Sequence, residues 1–282
     1  MPIMTISTGR ALISGGGFRG AYDAFVPSIV HAYEPARRVL SSYTGPLRRL
    51  RRASDNAEAD FTYTANGDLD VAAIAAWAGG ASNDVTVYDQ APAGDDVTQA
   101  VAGDQPLYVA SIQNGHAGMR LDGTNDRLQG AYTTGGALSQ PVSIFAVAAL
   151  DAVAVDDGLY HVLIDGNVPA ASMVAMQNPQ VGPDCWSFTA GALLNGGVSN
   201  ANWNIWSLLF GGAASQFWIN TVSQTAGKAG AENPGGITIG ANDSTTVFWD
   251  GDITSIIVCD PSLSDAQRVA MQGQMNSYWA VY

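Results

Sequence analysis

The chain of 282 residues is poor in charge, in glutamate and in cysteine. Only 13% of residues are charged, against 47% hydrophobic. The two cysteines, Cys185 and Cys259, exclude a disulfide framework and leave no close pair for zinc or redox chemistry. Cys259 lies in an apolar run and reads as a buried thiol. The three histidines, His31, His116 and His161, form no close His-x-His or His-Glu-x-x-His set, which argues against a metal or triad site. Aspartates are plentiful, but none has EF-hand spacing, so calcium stays an open question and no other cofactor is expected. No apolar run approaches 18 residues, so no membrane span is expected. The opening MPIMTISTGR has neither a basic nor a long apolar region and does not read as a signal peptide. The Gly15-Gly16-Gly17-Phe18-Arg19-Gly20 run has the look of an oxyanion loop, yet no G-x-S-x-G elbow occurs in the chain, which excludes the lipase reading.

What is present is glycine, with 32 residues, and acid, with a net charge of −13. An acidic surface repels phosphates, so nucleic acid is excluded as a partner of the main body. Eight of the 12 basic residues lie at or before Arg52. Two readings of them stand: pairing with acidic loops of their own domain, or an arm docking on an acidic neighbour.

Turn chemistry and alternating apolar residues recur along the chain. Thr44-Gly45-Pro46 turns into the basic strand Leu47 to Arg52, and Ser54-Asp55-Asn56 turns again. Gly67 to Ala78 reads as a helix capped by Asp68 and stopped by Gly79-Gly80. Strands follow at Asp84 to Tyr88, Pro106 to Ser111, Leu159 to Ile164, Trp186 to Ala190, Trp203 to Phe210, Gln216 to Val222, Gly236 to Gly240 and Phe248 to Cys259. Val142 to Leu150 is apolar at every position and reads as a central strand covered on both faces. Ser264 with Gln267 forms a capping box opening a C-terminal helix to about Tyr278.

Five stretches carry family resemblances. HAYEPARRVLSSYTGPLRRLRRASDNAEADF, from His31, resembles the opening of the α-L-arabinofuranosidase B catalytic domain. Val87-Tyr88-Asp89-Gln90 and Asp96-Val97-Thr98-Gln99-Ala100 resemble that family's Tyr-Asp-Gln loop and the motif after it. The tail from Gly251 to Arg268, with Met119 to Leu128, resembles laminin-G-like sandwiches of the kind found in phage virion proteins. The implied fold is all-β: a concanavalin A-like or laminin-G-like antiparallel jelly-roll sandwich with few short helices, one of them C-terminal. The expected organisation is an N-terminal arm, residues 1–30, and a sandwich domain, residues 31–282.

A glycosidase needs two carboxyls flanking the scissile bond. The glutamates are three, Glu34, Glu58 and Glu232, and none falls on a mid-chain strand where the family's nucleophile belongs. The family's acid turn matches Gly240-Ala241-Asn242-Asp243-Ser244, which puts Asn242 at the acid position unless the register slips to Asp243. The sequence therefore leads to the expectation of no catalytic residue: a non-enzymatic phage virion protein of head or tail, assembled in a host cytoplasm. Its partners would be other virion proteins, a second copy in a homo-oligomer, and cell-surface carbohydrate. The alternative is an arabinofuranosidase-type glycoside hydrolase. Candidate ligand-binding residues are Asp89, Gln90, Asn242, Asp243 and Trp249, with Trp203, Trp206, Trp218 and Tyr132 as further stacking candidates. Candidate docking residues on the apolar arm are Arg10, Phe18, Arg19, Tyr22 and Phe25.

Overall fold

The computed structural model describes residues 18–167, 172–179 and 183–282. The fold is the expected antiparallel β-sandwich with two α-helices, the second of them C-terminal. One sheet runs in the order Ile29–Tyr33, Asp250–Cys259, Val142–Leu150, Asn204–Phe210, Ser215–Ile219 and Val222–Gly227. The other runs Leu128–Ala131, Gly236–Ile239, His161–Asp165, Val174–Asn178, Cys185–Thr189 and Leu194–Val198. The basic strand Arg48–Arg52 pairs with Glu58–Phe61 and with Ser82–Val87, and the short strand Val97–Thr98 ties that group to Leu128–Ala131.

Alternation sorts the central strand between two cores. Ile144, Ala146, Ala148 and Leu150 face the opposite sheet, meeting Leu163, Trp186, Phe188 and Ile239. Phe145 and Val147 face outward and are covered by Leu263, Met271, Met275 and Trp279 of the C-terminal helix segment. The uninterrupted apolar run is thus explained by cover on both faces. The helix Asp265–Trp279 opens with the expected capping box: Ser264 Oγ accepts from Gln267 N. The first helix, Val71–Ala78, is capped by Asp70, which accepts from Ala73 N, and not by Asp68, which receives the Tyr278 hydroxyl. Gly79 ends it in the left-handed region, φ 61°. Both cysteines are free and buried, on strands of different sheets. Burial alone pushes the Cys259 thiol up to about 12.

Of the two readings of the arginines, the intramolecular one holds for the basic strand. Arg48, fully buried, makes a two-pronged pair with Asp84 at 2.8 and 2.5 Å. Arg49 pairs with Asp60 and Arg52 with Asp55. The described part of the N-terminal segment lies on the body: Tyr22 and Phe25 join the core under the C-terminal helix, and Arg37 donates to the Tyr22 hydroxyl at 3.1 Å. Phe18 packs under the Arg38 guanidinium. The strand Ile29–Tyr33 runs across the arm boundary drawn between residues 30 and 31. Arg10 lies outside the described residues.

Glu34 sits fully buried between these parts. Neither carboxyl oxygen makes a well-formed hydrogen bond, although Ser255, Trp279 and Arg37 stand beside it. Desolvation raises its carboxyl from the ordinary 4.5 to about 7, with the Arg37 charge opposing.

Two outcomes follow for stability. Asp84→Ala leaves the Arg48 guanidinium buried without its partner and should cost about 3–5 kcal/mol in urea unfolding; a loss under 1 kcal/mol would show that Arg48 is rehydrated. Glu34 binds its proton more tightly folded than unfolded, so its contribution is complete below about 4.5 and is lost as pH rises towards about 7. Wild-type unfolding free energy should decline across that window, and Glu34→Gln should flatten the decline. Parallel pH profiles for the two proteins would rule out Glu34 as the source.

Candidate active site

Three carboxyls from distant parts of the sequence converge on one serine. Asp165 ends the strand His161–Asp165, Asp243 lies in the turn after Gly236–Ile239, and Glu232 precedes that strand. The pairing Ile164 with Ile239 is what brings the first two together. Ser172 N donates to Glu232 Oε2 at 2.8 Å, and Ser172 Oγ donates to Asp243 Oδ2 at 3.4 Å. Asp165 lies beneath: Oδ2 accepts from Asp243 N at 3.0 Å and Oδ1 from Gly166 N at 2.6 Å. Asp165 is buried, while Glu232 and Asp243 are half-exposed. Burial, helped by the neighbouring Asp243 charge, raises the Asp165 carboxyl to about 6 against the two backbone donors. Asn167 is next to the group, with its Oδ1 unpaired among the described residues.

The turn is built by Asn242. Its Oδ1 accepts from Thr246 N at 2.8 Å and from Val247 N at 2.9 Å, closing the hairpin that presents Asp243. Glu232 is held in place through its backbone, whose N–H donates to Ala190 O at 3.1 Å beyond the strand Cys185–Thr189. Such a group can do acid–base chemistry, with two accessible carboxyls and a third that sets the position of one of them. Among the described residues no set of three or more His, Cys, Asp or Glu has the geometry to hold a metal ion.

Of the sequence candidates, only Asn242 and Asp243 meet here. Asp89 and Gln90 are 2% exposed and act as a brace. Asp89 Oδ1 accepts from Ala32 N and Ala91 N, and Oδ2 meets His31 Nδ1 at 2.9 Å. Gln90 joins Val39 N, Glu34 O and Arg37 O. Trp249, Trp206, Trp218 and Tyr132 are in the core, and only Trp203 is half-buried. His161 contacts Asp157 and the Phe248 carbonyl. Sequence reasoning missed Asp165, Ser172 and Glu232. The signals available were an Asp-Gly at a strand end and a glutamate near a turn, neither of which says what it will face.

With this geometry in view, comparison with known proteins is informative. Residues 21–140 match the family model "Alpha-L-arabinofuranosidase B, catalytic". A probable α-L-arabinofuranosidase B of Aspergillus fumigatus is 35% identical over 100 residues, which are 35% of this chain and 19% of the relative. An α-L-arabinofuranosidase of Hypocrea jecorina is 36% identical over 75 residues, 26% of this chain and 15% of the relative. The matched segments thus span less than a fifth of these curated relatives. A solved GH54 α-L-arabinofuranosidase superposes with a TM-score of 0.71 at 16% identity, covering 92% of this chain and 64% of that one. The ligand-binding domain of botulinum neurotoxin serotype D superposes at 0.57 with 9% identity, covering 93% of this chain and 56% of that one.

These matches overturn the expectation of a non-enzymatic virion protein, and with it the virion location: the matching family model is a catalytic one, and the curated relatives are fungal hydrolases. The expectation rested on the lack of a glutamate on a mid-chain strand; in the structure Glu232, from a loop, stands beside Asp243 across Ser172.

The raised Asp165 carboxyl gives a direct check. Its carboxyl carbon should titrate near pH 6 by NMR, and in Asp243→Asn the midpoint should fall, because a neighbouring negative charge is gone. A midpoint unmoved by the substitution would separate the two groups electrically.

Proposed function

We propose that this chain is a glycoside hydrolase that removes α-L-arabinofuranosyl groups. The observation that carries the reading is the convergence of Asp165, Glu232 and Asp243 on Ser172. The catalytic-family match over residues 21–140 and the sandwich shared with arabinofuranosidases support it. One such enzyme is described in complex with arabinofuranosyl-α-1,2-xylobiose, which suggests arabinosyl side chains on a xylan backbone as the substrate class.

In this reading Asp243 is the general acid, giving its proton to the leaving oxygen. Glu232, across Ser172, works on the other side of the sugar as nucleophile or as base for a water. Asp165 is a positioning residue: its Oδ2 holds the Asp243 backbone N–H and so fixes where the Asp243 carboxyl stands. Asn242, at the position where the family has its acid, holds the hairpin instead.

The purified chain should release 4-nitrophenol from 4-nitrophenyl α-L-arabinofuranoside. Asp243→Asn and Glu232→Gln should each lower kcat by about 10²–10⁴ with little change in melting temperature. The double variant should fall well short of the product of the two losses. No release by the wild type, or full activity in both variants, would overturn the assignment.

A further inference from the structure

A second concave feature lies away from the carboxyl group. A cleft of about 550 Å³ opens where the strands Cys185–Thr189 and Leu194–Val198 meet the ends of Asn204–Phe210 and Ser215–Ile219. Trp186, on its wall, is four residues from Ala190, where Glu232 is anchored. At the rise of an extended strand that is about 13 Å. The cleft therefore shares a strand with the carboxyl group but none of its residues.

Among the described residues the wall carries no ionisable side chain, although the whole chain has a net charge of −13. Six of its lining residues are carboxamides, and three of these, Asn200, Asn204 and Asn220, are oriented by one another. Asn200 Oδ1 accepts from Asn202 N at 2.9 Å and Asn204 Nδ2 at 3.1 Å. Asn204 Oδ1 accepts from Asn220 Nδ2 at 3.4 Å, and Asn220 Oδ1 from Ile205 N at 2.9 Å. Gln113 Nε2 is held by Trp279 O at 2.8 Å, which leaves its Oε1 free. The Asn200 amide N–H₂ and the Asn202 side chain are also unused among the described residues. So donors and acceptors stand side by side on a fixed frame. Beside them are the half-buried Trp203 and two exposed valines, Val198 at 59% and Val222 at 62%.

We infer that this cleft is a binding site for a neutral oligosaccharide, separate from the carboxyl group. A sugar hydroxyl both donates and accepts, and a carboxamide offers both at matching spacing without the desolvation cost of a charge. The C–H faces of a pyranose or furanose stack on indole and pack on valine. Anionic ligands gain no cation here, and apolar ones would strand the free amides without partners. The inference does not depend on the hydrolase reading.

The test uses the full chain carrying Asp243→Asn, so that a substrate is not consumed, and affinity electrophoresis in gels containing neutral arabinoxylan, neutral arabinan or anionic polygalacturonate. Retardation is expected in at least one neutral gel and not in polygalacturonate. Trp203→Ala should weaken the retained interaction at least tenfold. Because Trp203 also packs on the core, two surface variants accompany it: Asn202→Ala, expected to lose several-fold, and Val222→Asp, expected to abolish retardation by putting a charge in the neutral cleft. With Asp243 restored, all three should cleave the small aryl arabinofuranoside at the wild-type rate. Absence of retardation in both neutral gels, or undiminished retardation in Asn202→Ala and Val222→Asp, would overturn the site. A chain that binds through the cleft but never hydrolyses would leave this inference standing and defeat the hydrolase reading alone.

Discussion

The strand Val142–Leu150 has nine buried residues in a row, and the architecture is the solution to covering it. One face is closed by the opposite sheet and the other by the C-terminal helix and the chain entering through Tyr22 and Phe25. Burial of this kind is worth roughly 1.5–3 kcal/mol for each large side chain, so neither cover is dispensable in a protein of ordinary marginal stability. The helix that closes the fold is therefore part of its core, and the capping box at Ser264 fixes where that cover begins.

The same packing positions the chemistry. The opposite sheet is rigid because its inner face is packed with Trp186, Phe188, Leu163 and Ile239. One of its strand ends and two of its loops then bring three carboxyls near one another, an arrangement that like charges resist unless backbone donors offset the repulsion or a buried carboxyl keeps its proton. The N-terminal third contributes differently. Its Asp89-Gln90 pair saturates backbone groups of Ala32, Val39, Glu34 and Arg37, which are far from the carboxyl group in sequence and engaged in a separate brace. The segment that matches the catalytic family is thus largely the scaffold, and the carboxyls lie in the part of the chain beyond that match.

Elements with a local signature were legible in the sequence. The double-sided strand, the capping box and most strands of the two sheets are where alternation and turn residues put them. Val174–Asn178 and Leu194–Val198 were not, because a five-residue strand such as LNGGV has no side-chain pattern of its own and exists through its neighbours. The arm boundary misled for a related reason: glycine-rich composition suggested separateness, while Tyr22 and Phe25 carried enough apolar surface to join the core. The carboxyl group was the least legible. Asp165 and Asp243 are separated by 78 residues and meet only through strand pairing, and Ser172 has no motif at all. A search by residue type on one strand could not find a group assembled from a strand end and separate loops.

Cys185 and Cys259 lie in separate sheets, each sealed from solvent, and the second is held far from its thiolate form. Thiols buried from solvent in different sheets, with no second thiol within reach, are poorly placed to exchange with glutathione or oxygen-derived oxidants. The covalent state of the folded chain is thus indifferent to the redox potential around it. No disulfide among the described residues holds its shape, and its cohesion comes from apolar packing, backbone pairing and buried polar contacts such as the arginine–aspartate pair and the Asp89-Gln90 brace.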